Sequence, residues 1–161
     1  MAKTKTEGTD FRSMFGKLEI TLDEYLGKKA PQLPETWKKF LVKIAPYLAI
    51  VGVVLGVLGV LALLGIGIFV VPLGTVGGIL SGRPFLGLGY LLNVIFLGVT
   101  VVLEGLAITG LFSRAKKGWN FLYWGVLVGA VQNILTVNVA GLIIGTLLSL
   151  YVLFQVKEYY K

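Results

Sequence analysis

Asn93, Thr100 and Glu104 stand seven and four residues apart in an otherwise apolar run. At about 100° per residue these positions fall within roughly 40° of one another, so a helix carries them as one polar stripe over about three turns. An amide, a hydroxyl and a carboxyl in a row can hydrogen-bond to neighbouring helices or line a path for a cation or a proton. Glu104 precedes Phe112 by eight residues, which puts it about 12 Å from the end of such a helix. A charge that deep in a bilayer costs roughly 2.5–3.5 kcal/mol on insertion scales, so the carboxyl must pair, snorkel or be protonated. Ser149, Tyr123 and Thr100 stand at compatible depths, and Arg114, Lys116 and Lys117 come within range if the carboxylate reaches towards the interface. The plainer reading makes Glu104 a structural hydrogen-bonding group. Asn93, Gln132 and Asn133 read as interhelical hydrogen-bonding groups rather than as a site.

Other chemistries fall away. There is no Cys and no His, so disulfides, thiol nucleophiles, iron–sulfur clusters and thiolate zinc sites are excluded, and the commonest metal ligand and general base are missing. No nucleophile–base pair, carboxylate cluster or metal-ligand spacing is visible. No catalytic residue, metal or cofactor is therefore assigned, and an enzyme is the least supported class. Gly77-Gly78 lacks a surrounding phosphate-loop or dinucleotide fingerprint and is given no nucleotide role.

The elements that must position the polar stripe follow from hydropathy. Of 161 residues, 56% are hydrophobic and only 14% charged, with a mean hydropathy of +0.85 and 22 glycines. A soluble domain keeps about a quarter of its residues charged to hold its surface in water. The composition predicts an all-α integral membrane protein. From 47 to 71 there are 25 residues without a charge, and from 85 to 112 there are 28 with Glu104 alone. Each exceeds the roughly 20 residues that cross a ~30 Å hydrocarbon layer. The stretch 119–156 is about twice that length and is broken by Thr136-Val137-Asn138 and Gly141, so it reads as a hairpin of two helices, 119–136 and 139–156, joined by a turn. The expected organisation is an arm over 1–45, four transmembrane helices within 46–157 and a short tail, 158–161.

Charge placement gives orientation. The net charge is +7, and Lys28, Lys29, Lys38, Lys39, Lys43, Arg114, Lys116, Lys117, Lys157 and Lys161 all flank one side of the spans. The segment 72–84 carries only Arg83, and the turn near 138 carries no charge. The positive-inside rule puts both termini and the 113–118 loop in the cytoplasm, in the cell inner membrane. Anionic lipid headgroups, not nucleic acid, are the expected counterpart of the basic residues. Trp37, Trp119 and neighbouring tyrosines read as interfacial anchors on that side. The opening span is too long for a cleavable signal core, and Ala2 and the absence of Cys speak against lipid anchors.

The arm has its own pattern. Phe11, Phe15, Leu18, Leu22 and Tyr25 are spaced 4, 3, 4 and 3 apart, one apolar stripe on a helix over 10–29. It reads either as a surface helix packed against its own cytoplasmic loop or as an oligomerisation or membrane-surface element. Pro31 and Pro34 interrupt it. Pro34 is placed to open a second, basic helix with Trp37, Phe40, Leu41, Ile44 and Leu48 opposite Lys38, Lys39 and Lys43, a pattern that suits the headgroup boundary. Pro46 is expected to mark a bend into the first span.

Small residues predict where helices approach each other. Gly52, Gly56 and Gly59 share a face of the first span. Gly87, Gly98 and Gly105 share one in the second, Gly125 and Gly129 in the third, and Gly141, Gly145 and Ser149 in the last. The segment 72–84 is too apolar for a water-exposed loop and too rich in Gly and Pro for a regular helix, so an interfacial loop is expected, with re-entry as the alternative.

The run Gly110-Leu-Phe-Ser-Arg-Ala-Lys-Lys-Gly-Trp-Asn-Phe-Leu-Tyr-Trp124 and the ending Tyr151-Val-Leu-Phe-Gln-Val-Lys-Glu-Tyr-Tyr-Lys161 resemble those of uncharacterised small four-helix membrane proteins of bacteria. The resemblance covers the last third of the chain and implies no activity or site residue. The sequence thus leads to a non-enzymatic membrane protein, a self-associating scaffold or a subunit of a membrane complex, with itself or another membrane protein as partner. The alternative is a small oligomeric channel or transporter whose polar pathway involves Asn93, Thr100 and Glu104.

Overall fold

The computed structural model describes the backbone of residues 7–80 and 86–161, and the side chains of these except 7–12, 78 and 86–88. Phe11 and Arg12 of the arm, Arg83 and the 81–85 part of the segment 72–84, and the face position Gly87 lie outside the described side chains. The described residues are helical almost throughout and contain no strand. Helix α1 (Glu7–Leu22) runs into a π-helical stretch, Asp23–Lys29, and is followed by α2 (Glu35–Leu80), α3 (Leu86–Phe112) and α4 (Lys116–Leu135). A second π-helical stretch, Gly141–Thr146, leads into α5 (Leu147–Gln155), and a 3-10 turn, Lys157–Tyr159, ends the chain. Among the described residues, two helices are long and apolar enough to cross a membrane, over Glu35–Gly77 and Gly89–Phe112.

Pro34 opens α2 as its position suggests: its carbonyl accepts the amides of Trp37 at 2.9 Å and Lys38 at 3.1 Å. The helix then runs 46 residues without a break, about 69 Å at 1.5 Å per residue. This corrects two expectations. Pro46 does not separate an interfacial helix from the span, and the segment 72–84, expected as a loop, is helical as far as Leu80. Each proline removes one backbone hydrogen bond, and the flanking turns continue regardless. Thr75 Oγ1 returns a bond to the Val71 carbonyl at 2.7 Å.

The π-helical stretch also resets the arm. Leu22 and Leu26, not Leu22 and Tyr25, pack against the core, while Tyr25 is exposed. A π-turn takes in more residues than an α-turn, so it moves the inward face forward by one position. Phe15 reaches α4, with its ring 4.9 Å from that of Trp124. The arm thus packs on its own chain.

The buried core lies at the end of the bundle where the arm, the 113–118 loop and the tail meet. Val42, Ala107, Leu111, Trp119, Tyr123, Leu153 and Phe154 form it. Trp119 is fully buried, stacks on Tyr123 at 5.4 Å and donates its indole N–H to the Leu153 carbonyl at 2.8 Å. Its expected place at the membrane surface is corrected: a buried indole needs an acceptor, and α5 supplies one. Lys38 is likewise buried rather than surface-facing, bonded to Gln32 Oε1 at 3.1 Å and paired with Glu158 at 3.3 Å. Trp37, Lys39, Lys43, Arg114, Lys116 and Lys117 are exposed.

Gln155 fastens the arm. It is 2% exposed, donates to the Leu26 carbonyl at 2.8 Å and accepts the Leu33 amide at 3.1 Å. Tyr151 bonds the Pro31 carbonyl at 2.5 Å, and Lys157 pairs with Glu19 at 3.1 Å and Asp23 at 3.3 Å. Tyr159 donates to Glu35 at 2.6 Å, and that bond to a carboxylate pushes its phenol up to about 12. The tail closes on the loop, Lys116 and Lys161 each bonding backbone there. Away from this end, the C-terminal half of α2 exposes Ile66, Ile68, Phe69, Leu73 and Leu80.

Candidate functional site

Helix α2 packs along α3, α3 along α4, and α4 against the final helical segment, but α2 and α5 share few contacts. The row of four therefore leaves one side open. A cavity of about 550 Å³ fills the gap, with Leu48, Thr100, Glu104, Val126, Ser149 and Tyr160 among its walls. That volume lies within the range of roughly 300–1,000 Å³ typical of small-molecule sites. The walls are aliphatic apart from four oxygen-bearing side chains: Thr100, Glu104, Ser149 and Tyr160.

Glu104 makes no hydrogen bond or ion pair with any described residue. Its carboxylate rests over Gly52, where a Cβ would come within 2.9 Å of Oε2. Gly52 therefore makes room for the side chain as well as for the neighbouring helix. Thr100 donates its hydroxyl to the Phe96 carbonyl at 3.0 Å, which leaves its oxygen as an acceptor one turn from Glu104. Ser149 comes from α5 across the gap. Tyr160 is 5% exposed, and its hydroxyl has no hydrogen-bond partner among the described residues. Burial pushes its phenol up, against an opposing pull from Arg114.

The polar stripe divides. Asn93 accepts from Gln132 Nε2 at 2.8 Å and donates to the Gly89 carbonyl at 2.8 Å, a closed contact between α3 and α4 away from the cavity walls. Asn133 belongs to the hairpin turn: its carbonyl accepts the Asn138 amide at 2.8 Å, and its side chain lies against Gly141. The turn holds Val137 at φ 53°, the left-handed region that a β-branched residue rarely occupies. Tyr123 stacks on Trp119 instead of reaching Glu104, and Arg114, Lys116 and Lys117 make no ion pair with it.

Within the chain the glycine faces divide. A Cβ at Gly98, Gly129 or Gly145 would meet nothing within 4 Å, and those at Gly105 and Gly125 would make only ordinary contacts at 4.0 Å, with Val53 and Leu103. Gly56 does pack tightly, on Val101. At Gly141 the crowding is local, from Asn133 and Asn138. The closest backbone approach is one the faces did not include. Gly110 and Gly118 meet across the basic loop, where a Cβ on Gly110 would lie 2.5 Å from the Gly118 Cα. The pair had a signal, two glycines bracketing a short cationic turn. Gln155 had one as well, as a single amide in an apolar run.

No family model, curated protein or solved structure matches this chain.

Proposed function

We propose that the chain is a non-enzymatic integral membrane protein of four spans with both termini in the cytoplasm, which binds and moves a cationic species through the cavity at Glu104. The observation that carries this reading is a carboxylate without a hydrogen-bond or ion-pair partner among the described residues, in the wall of a largely apolar cavity between two helices that barely meet. In hydrocarbon such a group needs a counterpart, and a protein that keeps room for one has a site rather than a structural bond. The four-span architecture has separate support. None of the most apolar window of α2 is buried in the protein, unlike the core helix of a soluble domain, so lipid is its natural cover. Helix α4 has 20 residues, about 30 Å, which falls within the spanning range, and the shorter apolar helix Gly141–Gln155 returns beside it.

Flux into liposomes tests the reading. Wild-type protein is expected to carry protons or cations, and Glu104→Gln to abolish the flux while the protein stays folded by circular dichroism and gel filtration. Absence of flux from folded wild type removes transport. The second reading, a self-associating scaffold or complex subunit, is favoured by the apolar C-terminal half of α2, whose exposed face a second helix can share with lipid. Crosslinking in native membranes tests it: dimers or a second chain support it, and a monomer alone counts against it.

A further inference from the structure

We infer that the Glu104 cavity binds a small hydrophobic primary amine in its ammonium form; this rests on the membrane-embedded reading of the cavity given above. The oxygens fit that chemistry. An ammonium brings three N–H donors and no acceptor, and the cavity offers the Glu104 carboxylate, the Thr100 oxygen and the Ser149 oxygen. The Thr100 hydroxyl hydrogen is already committed to Phe96, so this residue turns acceptor capacity towards the cavity. The rest of the wall, including Leu48, Val126 and Val152, wants an apolar body.

Other occupants fit less well. A hard metal cation takes roughly six or more oxygen ligands, and no metal-holding group of three acidic, His or Cys side chains occurs among the described residues. An anion meets the carboxylate. A phospholipid would have to draw its head about 12 Å below the helix end, and a two-chain lipid exceeds the cavity. A charge-assisted hydrogen bond in such a site, lost with its carboxylate, weakens binding by roughly 10- to 100-fold.

The test uses the full chain in phosphatidylglycerol nanodiscs, which contain no lipid amine, and measures binding of radiolabelled phenethylammonium by equilibrium dialysis. Wild type is expected to bind saturably. Glu104→Gln is expected to weaken binding roughly 10- to 100-fold, while Lys43→Met, on the exposed face of α2, leaves it unchanged. Ser149→Leu fills the cavity without altering its charge and is expected to weaken binding too, which keeps the test open if Glu104→Gln does not fold. Equal binding of the trimethylated, quaternary analogue or of phenethyl alcohol overturns the assignment to a primary ammonium. Loss of phenethylammonium binding when phosphatidylethanolamine is added shows that a lipid head supplies the amine and overturns the small-ligand proposal. No saturable binding to folded wild type overturns it as well. If the same protein, reconstituted in phosphatidylglycerol liposomes, still shows Glu104-dependent proton or alkali-cation flux, the transport reading survives alone; if flux is absent too, both fail.

Discussion

Substituting Ala for Gly110 sets a methyl against the backbone of the neighbouring helix. The new Cβ would lie 2.5 Å from the Gly118 Cα, about 1 Å short of ordinary carbon–carbon separation. Its neighbour there is main chain, which cannot rotate away, so α3 and α4 must part where the 113–118 loop and the Trp119 cluster hold them. Overpacking of a well-filled contact costs about 1–3 kcal/mol and sometimes more. Gly98→Ala is the matched control. Its Cβ meets nothing within 4 Å, and exchanging Gly for Ala inside a helix gains roughly 0.5–1 kcal/mol. Thermal unfolding of both variants in the same detergent is the assay. Gly110→Ala is expected to melt well below wild type and Gly98→Ala at or above it. Equal destabilisation by the two would refute the packing described here, because it would require a close neighbour at Gly98.

Three further outcomes follow from the same contacts. Gln155→Leu strands the Leu26 carbonyl and the Leu33 amide at a cost of about 1–3 kcal/mol, so tryptic cleavage after Lys28 or Lys29 is expected to accelerate roughly 5- to 100-fold; unchanged cleavage would show that the amide does not hold the arm. Tyr159 is expected to titrate near 12 by carbon-13 tyrosine NMR, and Glu35→Gln to bring it back towards 10. Its folded value lies above the unfolded one, so the bond's contribution is complete below about pH 10 and lost as pH rises to about 12; a midpoint near 10 in wild type would contradict the bond. Gly56→Ala presses on the stiff, β-branched Val101 and is expected to lower the melting temperature in detergent; a melting temperature equal to wild type would mean that α2 and α3 do not pack closely there.

Much of this was legible from residue order, and the exceptions have physical causes. Hydropathy located the apolar helices, and Pro34 located the start of α2, because both depend on local chemistry. The 100° periodicity placed Thr100 beside Glu104. It could not say that Asn93 turns to Gln132 while the other two face a cavity, since that depends on where α4 and α5 lie. Pro46 and Pro72 suggested breaks that the helix absorbs at the loss of one hydrogen bond each. The π-helical stretch exchanged Tyr25 for Leu26 on the packed face through a one-residue change of phase that composition does not record. Trp119 and Lys38 read as surface groups because their residue types suit an interface. Tertiary partners on α5 and the tail, Leu153 and Glu158, draw them inward. Glycine spacing likewise marks faces that permit close approach without saying which are used inside the chain: Gly52 meets Glu104 and Gly56 meets Val101, while a Cβ at Gly98, Gly129 or Gly145 would meet nothing within 4 Å.

The proposal stands on a carboxylate that lies within a bilayer crossed four times. The chain contains no cysteine, so Asn138→Cys and Lys116→Cys, each introduced alone, report directly on which side of the membrane the two turns lie. In right-side-out vesicles Asn138→Cys is expected to react with a membrane-impermeant maleimide at once, and Lys116→Cys only after permeabilisation. Labelling of both from the same side would contradict the crossing between them.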